Sequence, residues 1–233
     1  MKNIFLLGKE YEDTIITVDN IKAGETNECR SLVQRNGGIH NFLEVDFKNL
    51  KPMLLTSGAK RAYIINNKNK SKRTSFVTNM YNSTLQGKDI NLINKQCEWL
   101  HVSYLDDLEC YEKLMLVDRL FSVDFCTTKP RKQFIDVMNR AEIIFDSRER
   151  KHLYDFEINT PIIFHDEYGA EVYSRGKTIH SVSNKPIENL EVNGAGDIFS
   201  AFFLDNYLFV GVSKAMEIAV RKTTNLLIEK VNK

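Results

Sequence analysis

Cysteine is scarce and unpatterned in this chain. Cys29, Cys97, Cys110 and Cys126 are the four present, none in a CxxC pair and none at zinc-ligand spacing. That excludes a zinc ribbon or a redox dithiol and reads as reduced thiols in a cytoplasmic protein. The five histidines, His40, His101, His152, His165 and His180, show neither HxxxH nor HxH spacing, so no metal cage is expected. Net charge is nearly absent: 32 basic against 31 acidic side chains leave +1 at pH 7. Bulk charge therefore excludes nucleic acid and anionic membrane as partners. The cluster Lys68, Lys70, Lys72 and Arg73 has no aromatic residue within it and reads as a solvated hairpin tip rather than a nucleic-acid contact. No apolar run is long. The stretch 4–7 is too short for a signal peptide and reads as a β-strand, and Asp205 and Asn206 interrupt the most apolar stretch, 198–212, so no membrane span is expected. Four prolines and eleven glycines form no linker, and there is no internal repeat.

What remains is a globular composition. The 233 residues are 42% apolar and 27% charged, enough to bury a full core, and a single domain over 1–233 is expected. Short apolar runs alternate with helical patterns in the second half. Strands are expected at 99–104, 122–126, 141–145 and 161–164, and helices at 107–121, 132–139 and about 149–156. This βαβα rhythm argues a parallel sheet with helices on its faces. The first half is β-rich instead. Strands at 14–18 and 28–34 join through a turn at Lys22-Ala23-Gly24, and a hairpin is expected over 61–66 and 73–79.

The stretch that carries chemistry is Glu191-Val192-Asn193-Gly194-Ala195-Gly196-Asp197, which runs straight into an apolar helix at Ile198. Two glycines around an alanine let the backbone turn tightly and approach a ligand. Such a turn delivers amide N–H groups at the N-terminus of a buried helix, where the dipole favours an anion. Asp197 falls in the first helical turn, where a carboxylate is favoured. An anion hole at Gly194, Ala195 and Gly196 beside an acid at Asp197 suits phosphoryl transfer to a hydroxyl, the acid taking the hydroxyl proton. Alone, a GxGD string is equally a tight loop with a helix-capping acid.

The wider context resembles the ribokinase-like (PfkB) carbohydrate kinase family. Its C-terminal DTxGAGD signature is matched by the GAGD core at Gly194 to Asp197, with Asn193 before it and Glu191-Val192 in place of Asp-Thr. Gly37-Gly38-Ile39-His40-Asn41 resembles the family's GGxxxN. Gly8 and Asp13 fit its first strand and substrate-binding Asp, Gly24-Glu25-Thr26 the turn of its β-lid, Lys72-Arg73-Thr74 its "ERT" element, and Ser122-Val123-Asp124-Phe125 a later core strand. The resemblance implies a three-layer α/β/α kinase domain with a mainly parallel sheet and a small β-lid, the lid strands within about 14–36 and 61–79. It implies an ATP- and Mg2+-dependent phosphotransferase acting on a sugar or sugar-like small molecule. Asp197 would be the catalytic base. Asp13, Gly37, Gly38 and Asn41 would bind the acceptor, and Asn193, Gly169 and Asn225 the nucleotide. It also implies a homodimer through the lid.

Three departures stand out. The chain is shorter than the family's usual length, the loss falling between Asn41 and Arg61. The family's metal- and phosphate-linked NxxE falls on Ser147 to Arg150 with both end residues changed, leaving Glu149 as the substitute acid. Its TxGxxG falls on 164–169 with only Gly169 kept, so Phe164 and Asp166 are expected to reshape the nucleotide side. The alternative is therefore a non-catalytic small-molecule- or partner-binding pseudokinase, with a nucleoside kinase as a variant of the first reading.

Overall fold

A computed structural model describes residues 1–55, 59–67, 72–78, 83–187 and 192–231. In chain order the first strands are β1 (Lys2–Leu7), β2 (Glu10–Val18), β3 (Ser31–Gly38), β4 (Leu50–Leu55), β5 (Ala59–Asn67), β6 (Lys72–Val77) and β7 (Ser83–Thr84). Helix α1 (Gly87–Gln96) precedes β8 (Trp99–Val102), β9 (Leu108–Glu109) and β10 (Leu120–Asp124). Helix α2 (Ile135–Arg140) is followed by β11 (Ile143–Ser147), β12 (Ile162–Asp166), β13 (Gly169–Ser174), β14 (Lys177–Ser183) and helix α3 (Ala195–Val231).

The main sheet has eight strands in the order β14-β13-β12-β11-β10-β8-β1-β4. From β12 to β4 every pairing is parallel, and β13 and β14 add an antiparallel edge. Because side chains alternate along a strand, each inner strand feeds two cores. Phe5, Leu100, Val123, Ile144 and Phe164 pack under α1 and α2. Ile4, Trp99, Phe145 and Ile163 pack under α3 with Phe199, Phe202 and Phe203. The result is the expected three-layer α/β/α arrangement.

A second sheet of four strands, β3-β2-β5-β6, occupies the place expected of the lid and is termed the lid. Its β2–β3 and β5–β6 pairs are the two anticipated antiparallel hairpins, joined by a parallel β2–β5 seam. Asp13, Ile15, Ala62 and Ile64 are buried and alternate with more exposed positions, so one face of the lid points at the main sheet. Of the basic cluster, Lys68 and Lys70 lie outside the described residues, as does Glu191 of the glycine turn.

Several elements differ from expectation. No α-helix spans 107–121; two 3-10 turns, Leu105–Asp107 and Tyr111–Leu116, flank the short β9 instead. Tyr104 and Cys110 take left-handed backbone (φ 62° and 54°) and break the helical run. The leucines still reach the core, since Leu105, Leu108 and Leu114 are buried from these turns. The helix near 149–156 is a 3-10 turn, Arg148–Leu153. The stretch 42–60, short as it is, supplies β4, the edge of the main sheet.

Helix α3 is long and apolar enough to cross a membrane by length and composition, yet half of its most apolar window is buried against the sheet. Gly211 (φ 74°) breaks it into two helical parts. Within its first part Asp205 accepts hydrogen bonds from the amides of Lys48 (3.1 Å), Asn49 (2.9 Å) and Leu50 (3.0 Å), clamping the entry to β4.

Candidate active site

The glycine turn does what its residue types allow. Gly194 adopts φ 77°, and a Cβ there would land on the Asn41 side chain. Helix α3 starts at once: Ile198 N–H donates to Gly194 C=O at 3.0 Å, and Ala195 N–H to Val192 C=O at 3.1 Å. With Ala195's amide bonded in this way, the amides of Gly196 and Asp197 lie in the first turn, ahead of the helix's own ladder.

Asp197 sits in that turn, buried, with three donors on its carboxylate. Asn41 Nδ2 and Tyr104 OH reach Oδ2 at 3.2 and 3.3 Å, and Ser103 Oγ reaches Oδ1 at 3.4 Å. Burial raises its pKa to about 7 against these hydrogen bonds, and the charge of Asp13 adds to the rise. A carboxyl poised near neutrality is suited to taking up a proton.

Two cavities meet at this point. One, of about 430 Å³, runs between the lid and the main sheet and is lined by Asp13, Gly38, Asn41, Tyr104, Asp124 and Asp197, with Ala62, Ile64, Ser75 and Val77 from the lid. The other, of about 580 Å³, lies beside α3, where Ile187, Phe199, Val220 and Leu227 give it an apolar wall and Arg148 and Asp166 a charged rim. His165, Ala195 and Gly196 line both.

Asp13, Asn41 and Gly38 thus come together with Asp197, although 156 positions separate Asn41 from Asp197 in the chain. Gly37 packs against Asp13: any side chain there would strike its carboxyl group. Gly38 (φ 61°) has no room for a Cβ against the Lys9 carbonyl. Asn193 is buried and lines the lid-side cavity, not the α3-side cavity. Gly169 lines the α3-side cavity; Asn225 does not, because it is exposed, and the face of α3 turned to that cavity carries Val220, Thr223, Thr224 and Leu227.

The eroded motifs take definite positions. Phe164 points away from both cavities into the core under α1 and α2, against Tyr154 and Tyr173. Strand alternation turns the next residue, His165, toward α3, where its ring packs on Phe199 at 5.0 Å. Burial, with Arg150 and Arg148 nearby, lowers its pKa to about 4. Asp166 is paired with Arg148 at 2.9 Å. Arg150 is held by Asp146 (2.5 Å) and the Phe125 carbonyl (2.9 Å), and Glu149 stays largely exposed beside it.

Among the described residues, no three His, Cys, Asp or Glu side chains are grouped to hold a metal ion. The residues that sequence reasoning missed, Ser103, Tyr104 and His101, come from β8 and its end. Their signal was a polar alternation, Trp99, His101, Ser103, along one face of a strand expected to be buried on both.

No family model matches the chain, and no curated protein matches it in sequence. Solved structures do match its fold. A nucleoside kinase of Methanocaldococcus jannaschii, an archaeal member of the ribokinase family, aligns over 100% of this chain and 98% of its own at 15% identity and TM-score 0.68. The chain has the ribokinase fold. Another ribokinase-like structure, an E. coli protein assigned as a ribokinase II and bound to ATP and Mg2+, aligns over 96% and 92% at 13% identity and TM-score 0.69. A sulfate complex of a pyrophosphate-dependent kinase in the ribokinase family covers 95% and 94% at 14% identity and TM-score 0.65. The ribokinase-like chain keeps that architecture although it is only 13–15% identical to these three structures.

Proposed function

We propose that the protein is a phosphotransferase that moves a phosphoryl group from ATP to a hydroxyl of a sugar or sugar-like small molecule. One observation carries this reading: a buried acid with a pKa near 7 stands in the first turn of a helix at the junction of two cavities. The lid-side cavity takes the acceptor. Asp13 and Asn41 offer the directional acceptors and donors that a polyol needs, and Gly37 and Gly38 let the backbone close around it. The α3-side cavity takes the nucleotide, its apolar wall suited to a base and the helix N-terminus to phosphates.

The residues present fit ATP in this way. They fit Mg2+ as an ion whose ligands come mainly from phosphate oxygens and water, with Glu149 the one carboxylate among the described residues to line both cavities. When bound, the ion neutralises charge on the donor phosphates. The amides at the turn, with Gly196 at its centre, stabilise charge on the transferring group. Asp197 orients the acceptor hydroxyl and takes its proton as the new O–P bond forms and the bond from the transferring phosphorus to the departing ADP breaks. The lid covers the acceptor and excludes water. Its outer face carries Leu32, Tyr63 and Phe76 together, 61%, 41% and 57% exposed, and we place a homodimer contact there.

The test is calorimetry with ATP, ADP and pyrophosphate, each with Mg2+, followed by turnover screens over sugars and nucleosides. Saturable ATP binding and acceptor-dependent ADP release support the reading. Binding of pyrophosphate alone replaces the donor, and binding of neither overturns the kinase in favour of a pseudokinase.

A further inference from the structure

Three polar side chains, His101, Ser103 and Ser122, are at most 2% exposed in the middle of the main sheet under α3. Their neighbours on that face include Phe42, stacked on the His101 ring at 5.0 Å, and Phe145, edge-on at 5.9 Å. Burying three such groups in an apolar layer is costly unless each finds a partner. They do so in series. Trp99 Nε1 donates to Ser122 Oγ at 2.9 Å, Ser122 Oγ lies 2.9 Å from His101 Nδ1, and His101 Nε2 lies 3.4 Å from Ser103 Oγ. Ser103 Oγ is the donor on Asp197 Oδ1.

We propose that Trp99, Ser122, His101 and Ser103 form a one-way hydrogen-bond relay that commits the Ser103 proton to Asp197, with His101 as its positioning residue. The proposal rests on the reading of Asp197 as the base. Its direction follows from bond chemistry. An indole N–H only donates, so Ser122 Oγ accepts from Trp99 and gives its own proton to His101 Nδ1. Nδ1 is then the acceptor and the proton sits on Nε2. Nε2–H donates to Ser103 Oγ, which leaves the Ser103 hydroxyl proton for Asp197. The opposite tautomer would strip Ser122 of its acceptor and turn the Ser103 proton back toward Nε2. No net proton moves; the relay sets which lone pair of the carboxylate is occupied and leaves the other oxygen to Asn41, Tyr104 and an incoming hydroxyl.

His101 has no charged neighbour acting on it, and burial alone lowers its pKa to about 3, so it stays neutral with one N–H. Asp197 is faced by Asp13 from β2, Asp124 from β10, Tyr104 from the end of β8 and the neutral amide of Asn41. Loss of the Ser103 donor therefore disfavours the carboxylate with like charges already around it.

The experiment is a pair of NMR titrations that need no turnover: imidazole 15N shifts for the His101 tautomer, and the Asp197 carboxyl 13C midpoint in wild type, S103A and H101F. The Nε2–H tautomer is expected, with the Asp197 midpoint rising by about one pH unit in S103A, which removes the donor, and by less in H101F, which leaves the Ser103 hydroxyl in place but takes away the N–H that polarises it. In a turning-over enzyme the acid limb of kcat/KM shifts upward by the same amount, while KM on the alkaline plateau stays put. S103A removes a single oxygen and carries the test if H101F fails to fold. An Nδ1–H tautomer, or an unmoved midpoint in folded S103A, overturns the relay. A raised midpoint in a protein without kinase activity keeps the relay and removes the kinase reading instead.

Discussion

At the scale of single residues, Asp197 is where structure and chemistry meet. Asp197→Asn keeps the shape of the side chain but cannot accept a proton, so kcat is expected to fall by about 10²–10⁴-fold with acceptor and nucleotide affinity nearly unchanged. Titration calorimetry beside steady-state kinetics checks this; parallel loss of acceptor binding would make the residue structural. The wild-type rate should rise through pH 7, where the carboxyl ionises, and level off above it. Stability runs the other way. The folded pKa of about 7 exceeds the ordinary 3.8, so between those values the native state holds a proton that the unfolded chain has released. Stability therefore falls as pH rises through that window, and the cost is complete above 7. Asp197→Asn is expected to raise Tm at pH 8 and not at pH 4, by roughly 2–4 °C per kcal/mol recovered. Thermal scans at the two pH values decide it. Asp197, Asn41 and Asp13 were legible in the sequence because they sit in short ordered motifs. Tyr104 was not: a large residue in left-handed backbone carries no pattern, and its place at the carboxylate is fixed by the neighbouring strands.

At the scale of elements, the turn before α3 works because two glycines, Gly194 and Gly196, leave room for other side chains to converge. Gly194→Ala puts a Cβ onto Asn41 in left-handed backbone, and the expected result is a loss of about 1–3 kcal/mol in stability together with weakened acceptor binding. Denaturant titration and acceptor calorimetry on the same variant test both. Between α2 and β11 a different device holds the layers. Arg131, fully buried, donates to Asp146 at 2.9 Å and to the carbonyls of Lys129 (2.8 Å) and Thr127 (2.7 Å), with Asp106 at 3.7 Å. Arg131→Met removes the cation and leaves two buried carboxylates without it, at a cost of about 3–5 kcal/mol. A denaturation midpoint unchanged from wild type would contradict this. The βαβ rhythm of the second half was readable because parallel strands make continuous apolar runs. The supposed helix at 107–121 was not: its leucines have helical spacing, and only the backbone at Tyr104 and Cys110 shows that turns deliver them. Strands β13 and β14 escaped notice for a related reason, since β14 is an edge with mostly exposed side chains.

For the whole molecule, the lid and the main sheet share the cavity proposed for the acceptor, and residues of β5 and β6 line it together with Asp197. Acceptor binding is therefore expected to slow amide hydrogen exchange in β2, β5 and β6 more than in β10 or β11, which are already buried. Uniform protection across both sheets would instead place the acceptor elsewhere. The exposed face of the lid gives a second check at this scale. Phe76→Lys should leave a wild-type dimer monomeric in sedimentation without changing nucleotide affinity, since Phe76 lies on the face away from the cavity. The order of motifs along the chain revealed this architecture; the meeting of β2, the turn at 38–41 and α3 is a property of the sheet order alone.

The clamp of Asp205 on the backbone at 48–50 has a consequence for how the protein is made. β1 lies between β8 and β4, and β4, paired with β1, has its entry held by a carboxylate about 155 positions later in the chain. On the ribosome the first quarter of the polypeptide thus waits, with the entry to β4 unclamped, until the C-terminal helix emerges. The turn that carries Asp197 arrives with that same helix. Completion of the fold and assembly of the proposed phosphoryl-transfer site are one event, so a nascent or truncated chain that lacks α3 should engage chaperones and never nucleotide.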